Sequence, residues 1–300
     1  MSNNYLFAWN YQGHKLISEI AYDNLTTKQQ QKLDNILDAL IYKLPQEDKK
    51  IYKQQQYSLS KLAKLSIMPD FWKEETLNSL ADNFHIKSIT IAQSIGNLKT
   101  SDWHYSSKIF SSDNKFHQEK QGKQEKNGKL DVILPQLITS TKSTVNPAEK
   151  ALGIIYLAHL MEDSHQPLHA MSRKTNQTNN DRGGNYFCLK RNNKRLTNCR
   201  ANLHSYWDSA GTLLNTKKPI TLLTQDIIKS YPTSAFINQI KILDPEIWLQ
   251  ESFSYKTVVY DTPEYEYPNK IYQAKTRTIT SQRMALAGYR LSKLLAEIII

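Results

Sequence analysis

Apolar residues recur three and four apart through most of the chain, the spacing that gathers them on one face of a helix. The run His14-Lys15-Leu16-Ile17-Ser18-Glu19-Ile20-Ala21 shows it first, and Thr26 and Thr27 supply a cap for the helix that follows. Gln29 to Leu44, Tyr57 to Leu65, Leu77 to Phe84 and Ile86 to Ile95 read the same way. Ala148 to Leu168 is the strongest helix, with Asn146 or Pro147 at its start and Pro167 at its far end. Lys108 to Lys129 breaks the pattern; rich in Lys, Gln, Asn and Ser, it predicts a long mobile surface loop. Gly183 to Cys199 carries Asn-Tyr-Phe-Cys-Leu and Arg-Leu-Thr on either side of Asn192-Asn193, which predicts a β-hairpin. From Leu203 to Ile300 the helical pattern returns, closing with Ser281 to Ile300. No repeat period and no Pro/Gly-rich linker divides the chain, so the expected fold is mainly α: a single helical domain with one small β-hairpin.

No apolar run approaches the ~18 residues that a membrane-spanning helix needs. Lys and Arg number 39 against 28 Asp and Glu, a formal charge of +11. That excess suits an anionic partner, nucleic acid or anionic lipid, as well as it suits a solvated basic surface. Two cysteines, Cys188 and Cys199, exclude a four-thiolate zinc site. They flank the predicted turn, either as one disulfide, which implies an oxidising compartment, or as two half-buried thiols. Residues 1–8 offer only Tyr5-Leu6-Phe7-Ala8 as an apolar patch, too short for a complete secretory signal. They read as the remnant of a leader or an artificial start ahead of a single domain over 9–300.

The histidines carry the chemistry. His159 and Asp163 lie four apart on the strongest helix, and His204 and Asp208 repeat that spacing, so each pair projects from one helical face. His169 follows just after Pro167. One such pair is no more than a surface ion pair would produce. Two pairs with a third histidine make imidazole and carboxylate donors that suit zinc. His85, His117 and His165 stand outside this pattern and read as structural or surface residues.

In order along the chain come Trp9-x4-His14, Pro69-Asp70-x2-Lys73, Trp103-His104-Tyr105, His159-x3-Asp163-x-His165-Gln166-Pro167-Leu168-His169, Asp181-x-Gly183-Gly184-Asn185 and Asn202-Leu203-His204-x2-Trp207-Asp208. This series resembles that of the zinc-dependent, single-strand-specific nucleases: the fungal extracellular enzymes, the plant bifunctional nucleases of the mung-bean type and their bacterial relatives. Ala287-Gly288-Tyr289-Arg290-Leu291 extends the likeness into the closing helix, so it covers nearly the whole chain. The resemblance implies the phospholipase C/nuclease type of helical fold and three Zn2+. One zinc would be held by Asp70, His104, His159 and Asp163. A second would take His14, a bridging Asp163, and the free amine and carbonyl oxygen of Trp9. The third would take His169, His204 and Asp208.

The implied reaction is in-line attack by a metal-bridged hydroxide, with Asp163 central to catalysis and products that carry 5′-phosphates. Single-stranded DNA and RNA would be the substrates, with 3′-nucleotidase action on nucleotides beside them. Lys73 stands where relatives often have a phosphate-binding arginine; it supplies charge without the bidentate fork. Tyr105 matches an aromatic on which a base stacks, or fills the core; Asn185 follows a glycine pair that would form an open turn near the metals, or a plain hairpin start. Ser107 stands where many relatives carry a carboxylate. Two other readings compete: a zinc-dependent phospholipase C of the same fold, and a zinc-stabilised binding protein without catalysis. The nuclease reading further implies a secreted or periplasmic monomer without stable membrane association. Its active form would begin at Trp9, cut after Ala8, because an amide nitrogen has no lone pair to offer a metal.

Overall fold

The computed structural model describes residues 9–87, 90–91, 95–111, 126–175, 179–190, 199 and 201–300. The architecture is mainly α. The N-terminal half runs α1 (Tyr11–Asp23), α2 (Thr27–Ile41), α3 (Gln46–Lys53), α4 (Lys61–Leu65), α5 (Met68–Phe71) and α6 (Leu77–Asn83). Strands β1 (Ser106–Phe110) and β2 (Lys126–Gly128) come next, then α7 (Leu130–Ser143), α8 (Pro147–Ser164) and β3 (Met171–Arg173). The chain closes with α9 (Leu203–Asp208), α10 (Ile220–Ser230), α11 (Pro245–Ser254), α12 (Lys256–Val259) and α13 (Lys270–Ile298).

Local chemistry starts these helices where the sequence marks them. Thr26 and Gln29 form a reciprocal capping box on α2, and Asn146 caps α8 with Pro147 in its first turn. Nearly every residue of α8 is buried, as a helix that is apolar all round must be. It lies at the centre, packed on α2, α7, α13, α11 and α1. α1 and α13 also pack on each other, and Gly288 is the reason they can: a Cβ there would sit 2.6 Å from Ile20 Cβ and 3.0 Å from the Ile17 carbonyl.

Five expected elements differ. The small sheet has the order β2-β1-β3, with β1 antiparallel to β2 and parallel to β3. It therefore draws on both ends of the stretch read as a loop, of which 112–125 lie outside the described residues. Of the hairpin expected over Gly183 to Cys199, the described residues hold one antiparallel bridge, Cys188 to Asn202; residues 191–198 and 200 lie outside the description. No described residue between Ile86 and Ile95 is helical, and the helix read from Tyr57 begins only at Lys61, where Ser60 caps it. The central helix stops at Ser164, and Pro167 opens a separate 3-10 turn over Pro167–His169. Cys188 and Cys199 form a disulfide, with Cα atoms 5.3 Å apart.

Candidate metal centre and substrate cleft

Five separate pieces of chain meet beside α8. α8 presents His159, Glu162 and Asp163, α1 presents His14, and α5 presents Asp70. His104 follows a 3-10 turn over Thr100–Trp103, and the Pro167–His169 turn ends on His169. α9 adds His204 and Asp208 one turn apart; Asn202 caps it by accepting from the Ser205 amide at 2.8 Å. All of these side chains are buried.

Their donor atoms form three groups, His14–Asp70–His159, His104–His159–Asp163 and His169–His204–Asp208, each within 4.8 Å. The first two share His159, whose ring stacks on His14 at 3.9 Å and meets His104 edge-on at 4.8 Å. Asp163 stands between them, its Oδ2 3.0 Å from His104 Nδ1 and its Oδ1 3.5 Å from His14 Nε2. In the third group His204 Nε2 lies 3.5 Å from Asp208 Oδ2.

Most of the imidazoles are held from behind. His159 Nδ1 lies 2.6 Å from the Ser66 carbonyl, His169 Nδ1 2.5 Å from that of His104, and His204 Nδ1 2.7 Å from that of Gly183. The parallel pairing of β1 with β3, the strands that follow these two histidines, brings His169 onto the His104 carbonyl. A ring that donates from Nδ1 keeps a lone pair at Nε2, the form a metal requires. The buried atoms His14 Nε2, His104 Nε2, His169 Nε2, Asp70 Oδ2 and Asp163 Oδ1 have no hydrogen-bond partner among the described residues, and His104 faces Asp163 and His159 with its Nδ1.

Electrostatics add to the geometry. Burial, then the charges of neighbouring histidines and Lys73, hold His14, His104 and His169 well below the usual histidine range. Burial likewise brings His159 to about 4 and pushes the Asp163 and Asp208 carboxyls well up. Neutral imidazoles beside carboxyls that resist ionising are what a low-dielectric pocket produces without enough positive charge. Divalent cations relieve that shortage, and an all-nitrogen-and-oxygen donor set of this kind fits zinc.

The groups open on a cleft of about 690 Å³ whose walls include Lys73, His104, Tyr105, His169, Asn185 and His204. Lys73 is buried and pairs with Asp70 Oδ1 at 2.7 Å, so its charge sits at the cleft floor. Tyr105 is half-buried, and Asn185 donates from Nδ2 to the Arg182 carbonyl at 2.8 Å. Ser107 is buried on β1 and lines the same cleft. Trp9 is fully buried; its indole Nε1 donates to the Glu162 carbonyl at 2.9 Å, and the next amide, of Asn10, donates to the Asp208 carbonyl at 3.2 Å. Residues 1–8 lie outside the described residues.

Sequence reasoning overlooked three participants. Gln166 donates from Nε2 to Asp208 Oδ1 at 2.5 Å. Arg182 lines the cleft with its guanidinium 5.1 Å from the Tyr186 ring. Glu162 is buried against His14; a lone acid beside Asp163 on a helix apolar all round was the available signal. Of the unassigned histidines, His165 is fully buried, His85 is exposed and His117 lies outside the described residues.

Residues 9–299 match the S1/P1 nuclease family, and the chain belongs to it. It is a nuclease, an enzyme acting on single-stranded nucleic acid, from a family that is zinc-dependent in general. No curated protein matches the sequence. Among the described residues no helix is long and apolar enough to cross a membrane.

Proposed function

We propose that the chain cleaves single-stranded DNA and RNA at a three-zinc centre, leaving 5′-phosphates, and that it also removes 3′-phosphates from nucleotides. The observation that carries this reading is the three groups of buried His and Asp donor atoms gathered under one cleft, several of those atoms without a hydrogen-bond partner among the described residues. Asp70, His104, His159 and Asp163 would hold one ion; His14, Asp163 and the amine and carbonyl of Trp9 a second; His169, His204 and Asp208 the third. Zinc held there would supply Lewis-acid charge to a phosphodiester and lower the pKa of water to near neutrality.

The chain's own residues do the rest. Lys73 places a point charge at the cleft floor for the scissile phosphate, without an arginine's bidentate fork. Tyr105 offers a ring on which a base can stack, worth ~1–3 kcal/mol. The Gly183–Gly184 turn brings Asn185 to the wall, where its amide sits within reach of substrate. A stacked base must first leave its helix, and in a duplex that costs a few kcal/mol, which favours single strands. The disulfide and a family whose members are generally secreted support a secreted or periplasmic enzyme. We take it to be a monomeric single domain over 9–300.

Metal content and turnover, measured side by side, test the reading. The protein should carry three zinc ions and cut single-stranded DNA much faster than duplex. Asp163→Ala should abolish turnover and lower zinc by more than one equivalent. Near-normal cleavage by that variant would sink the three-zinc assignment.

A further inference from the structure

We infer that Glu162 is the positioning residue that fixes His14 for metal binding, completing a carboxylate–histidine–metal arrangement across α1 and α8. The inference rests on the zinc reading of the site.

Glu162 is fully buried one residue before Asp163. Its Oε2 lies 2.5 Å from His14 Nδ1, and its Oε1 accepts from the Ser18 hydroxyl at 2.5 Å. His14 and Ser18 are one turn apart on α1, so both face the same carboxylate. With one oxygen engaged by each, the carboxylate is held toward α1 while Asp163 stays on the inward side. Donation from Nδ1 leaves the His14 lone pair on Nε2, and Nε2 is the atom without a hydrogen-bond partner, 3.5 Å from Asp163 Oδ1.

The comparison within the site makes the assignment specific. His159, His169 and His204 each use a backbone carbonyl behind the ring. His14 uses a side-chain carboxylate. A charged acceptor binds the Nδ1 proton more strongly and raises the basicity of the ring more than a neutral carbonyl does. A carboxylate is also removable by mutation, whereas a backbone carbonyl is not. Burying an acid this deeply is unfavourable unless such partners satisfy it, so its place needs the pair of bonds it makes. Loss of an outer partner of this kind typically weakens metal affinity 10–100-fold.

The test follows zinc release rather than turnover. Wild-type protein, Glu162→Gln and Glu162→Ala, each loaded with zinc, are titrated with a chelator while bound zinc is counted. Glu162→Ala should release one ion at a chelator level about 10–100-fold lower than wild type, with the others unchanged. Glu162→Gln keeps the shape and a weaker acceptor, so the same ion should leave at an intermediate level. A purely structural role would lower the melting temperature without singling out one ion. If Glu162→Ala does not fold, the near-isosteric Gln variant decides the matter. Release of every ion from the folded variants at the wild-type chelator level would overturn the inference and leave the zinc reading standing. A wild-type protein that binds no zinc would remove both.

Discussion

Gly183 shows how much one residue can decide. Its φ is +62°, and a Cβ would stand 2.6 Å from the Leu168 carbonyl. Its own carbonyl is the acceptor that orients His204. Gly183→Ala should therefore displace His204, lower zinc content by about one equivalent and destabilise the fold by about 1–3 kcal/mol. A metal count and melting curve equal to wild type would contradict that placement. Tyr105 is a second single-residue matter. If bases stack on it, Tyr105→Ala should raise KM on oligonucleotides well above Tyr105→Phe, which keeps the ring. Equal KM values for the two variants would remove the stacking role.

At the scale of elements, α8 is placed by its neighbours on α11 and α13. Arg290 pairs with both Glu251 oxygens at 2.7 Å, and Arg283 reaches Glu251 Oε2 at 2.7 Å. Arg290 also donates to His165 Nε2 at 2.9 Å, and Arg283 to the His165 carbonyl at 3.2 Å. This network grips the end of α8 two residues ahead of the Pro167–His169 turn, so it sets where His169 emerges. Burial and the two guanidinium charges together keep His165 well below the usual range. Burial pushes the Glu251 carboxyl up, but the hydrogen bonds and charges of Arg290 and Arg283 outweigh it and leave it below its ordinary 4.5. A carboxylate held low stabilises the fold above its unfolded value, and that stability is lost as pH falls through the lower folded value. The melting-temperature gap between wild type and Glu251→Gln should be full near pH 7 and shrink below about pH 4.5. A gap that is constant down to pH 3 would show that the charge contributes nothing.

For the whole molecule the prediction concerns where the active chain starts. The family match begins at Trp9, whose buried indole donates to the Glu162 carbonyl while the next amide, of Asn10, donates to that of Asp208. A free α-amine there has a pKa near 7.7–8.0 and can give its proton up to a metal; an amide nitrogen has no such lone pair. Active material should therefore begin at Trp9 by intact mass and carry three zinc ions. A form locked as residues 1–300 should carry about two and cleave poorly. Three tightly bound ions and full activity in the locked form would refute this.

What the sequence by itself determined was helical class, the chief caps and the two His–Asp pairs on helices, while His14, Asp70 and His104 were singled out only by the resemblance to a family. The class, caps and pairs follow from short-range physics: the 3.6-residue period of α1, α2 and α8, the Thr26 and Asn146 caps, and the four-residue spacing of His159 with Asp163 and of His204 with Asp208. The small sheet was not legible, because β1 pairs with β2 across 112–125 and with β3 far along the chain. Each strand is too short to show a pattern of its own. Glu162, Gln166 and Arg182 were missed for a related reason. Their roles lie in what they touch across α1, α9 and the cleft, and no local period encodes such partners. Only the tertiary structure decided that three distant histidines would lean on backbone carbonyls and His14 on a carboxylate, because those distances are set by packing around α8.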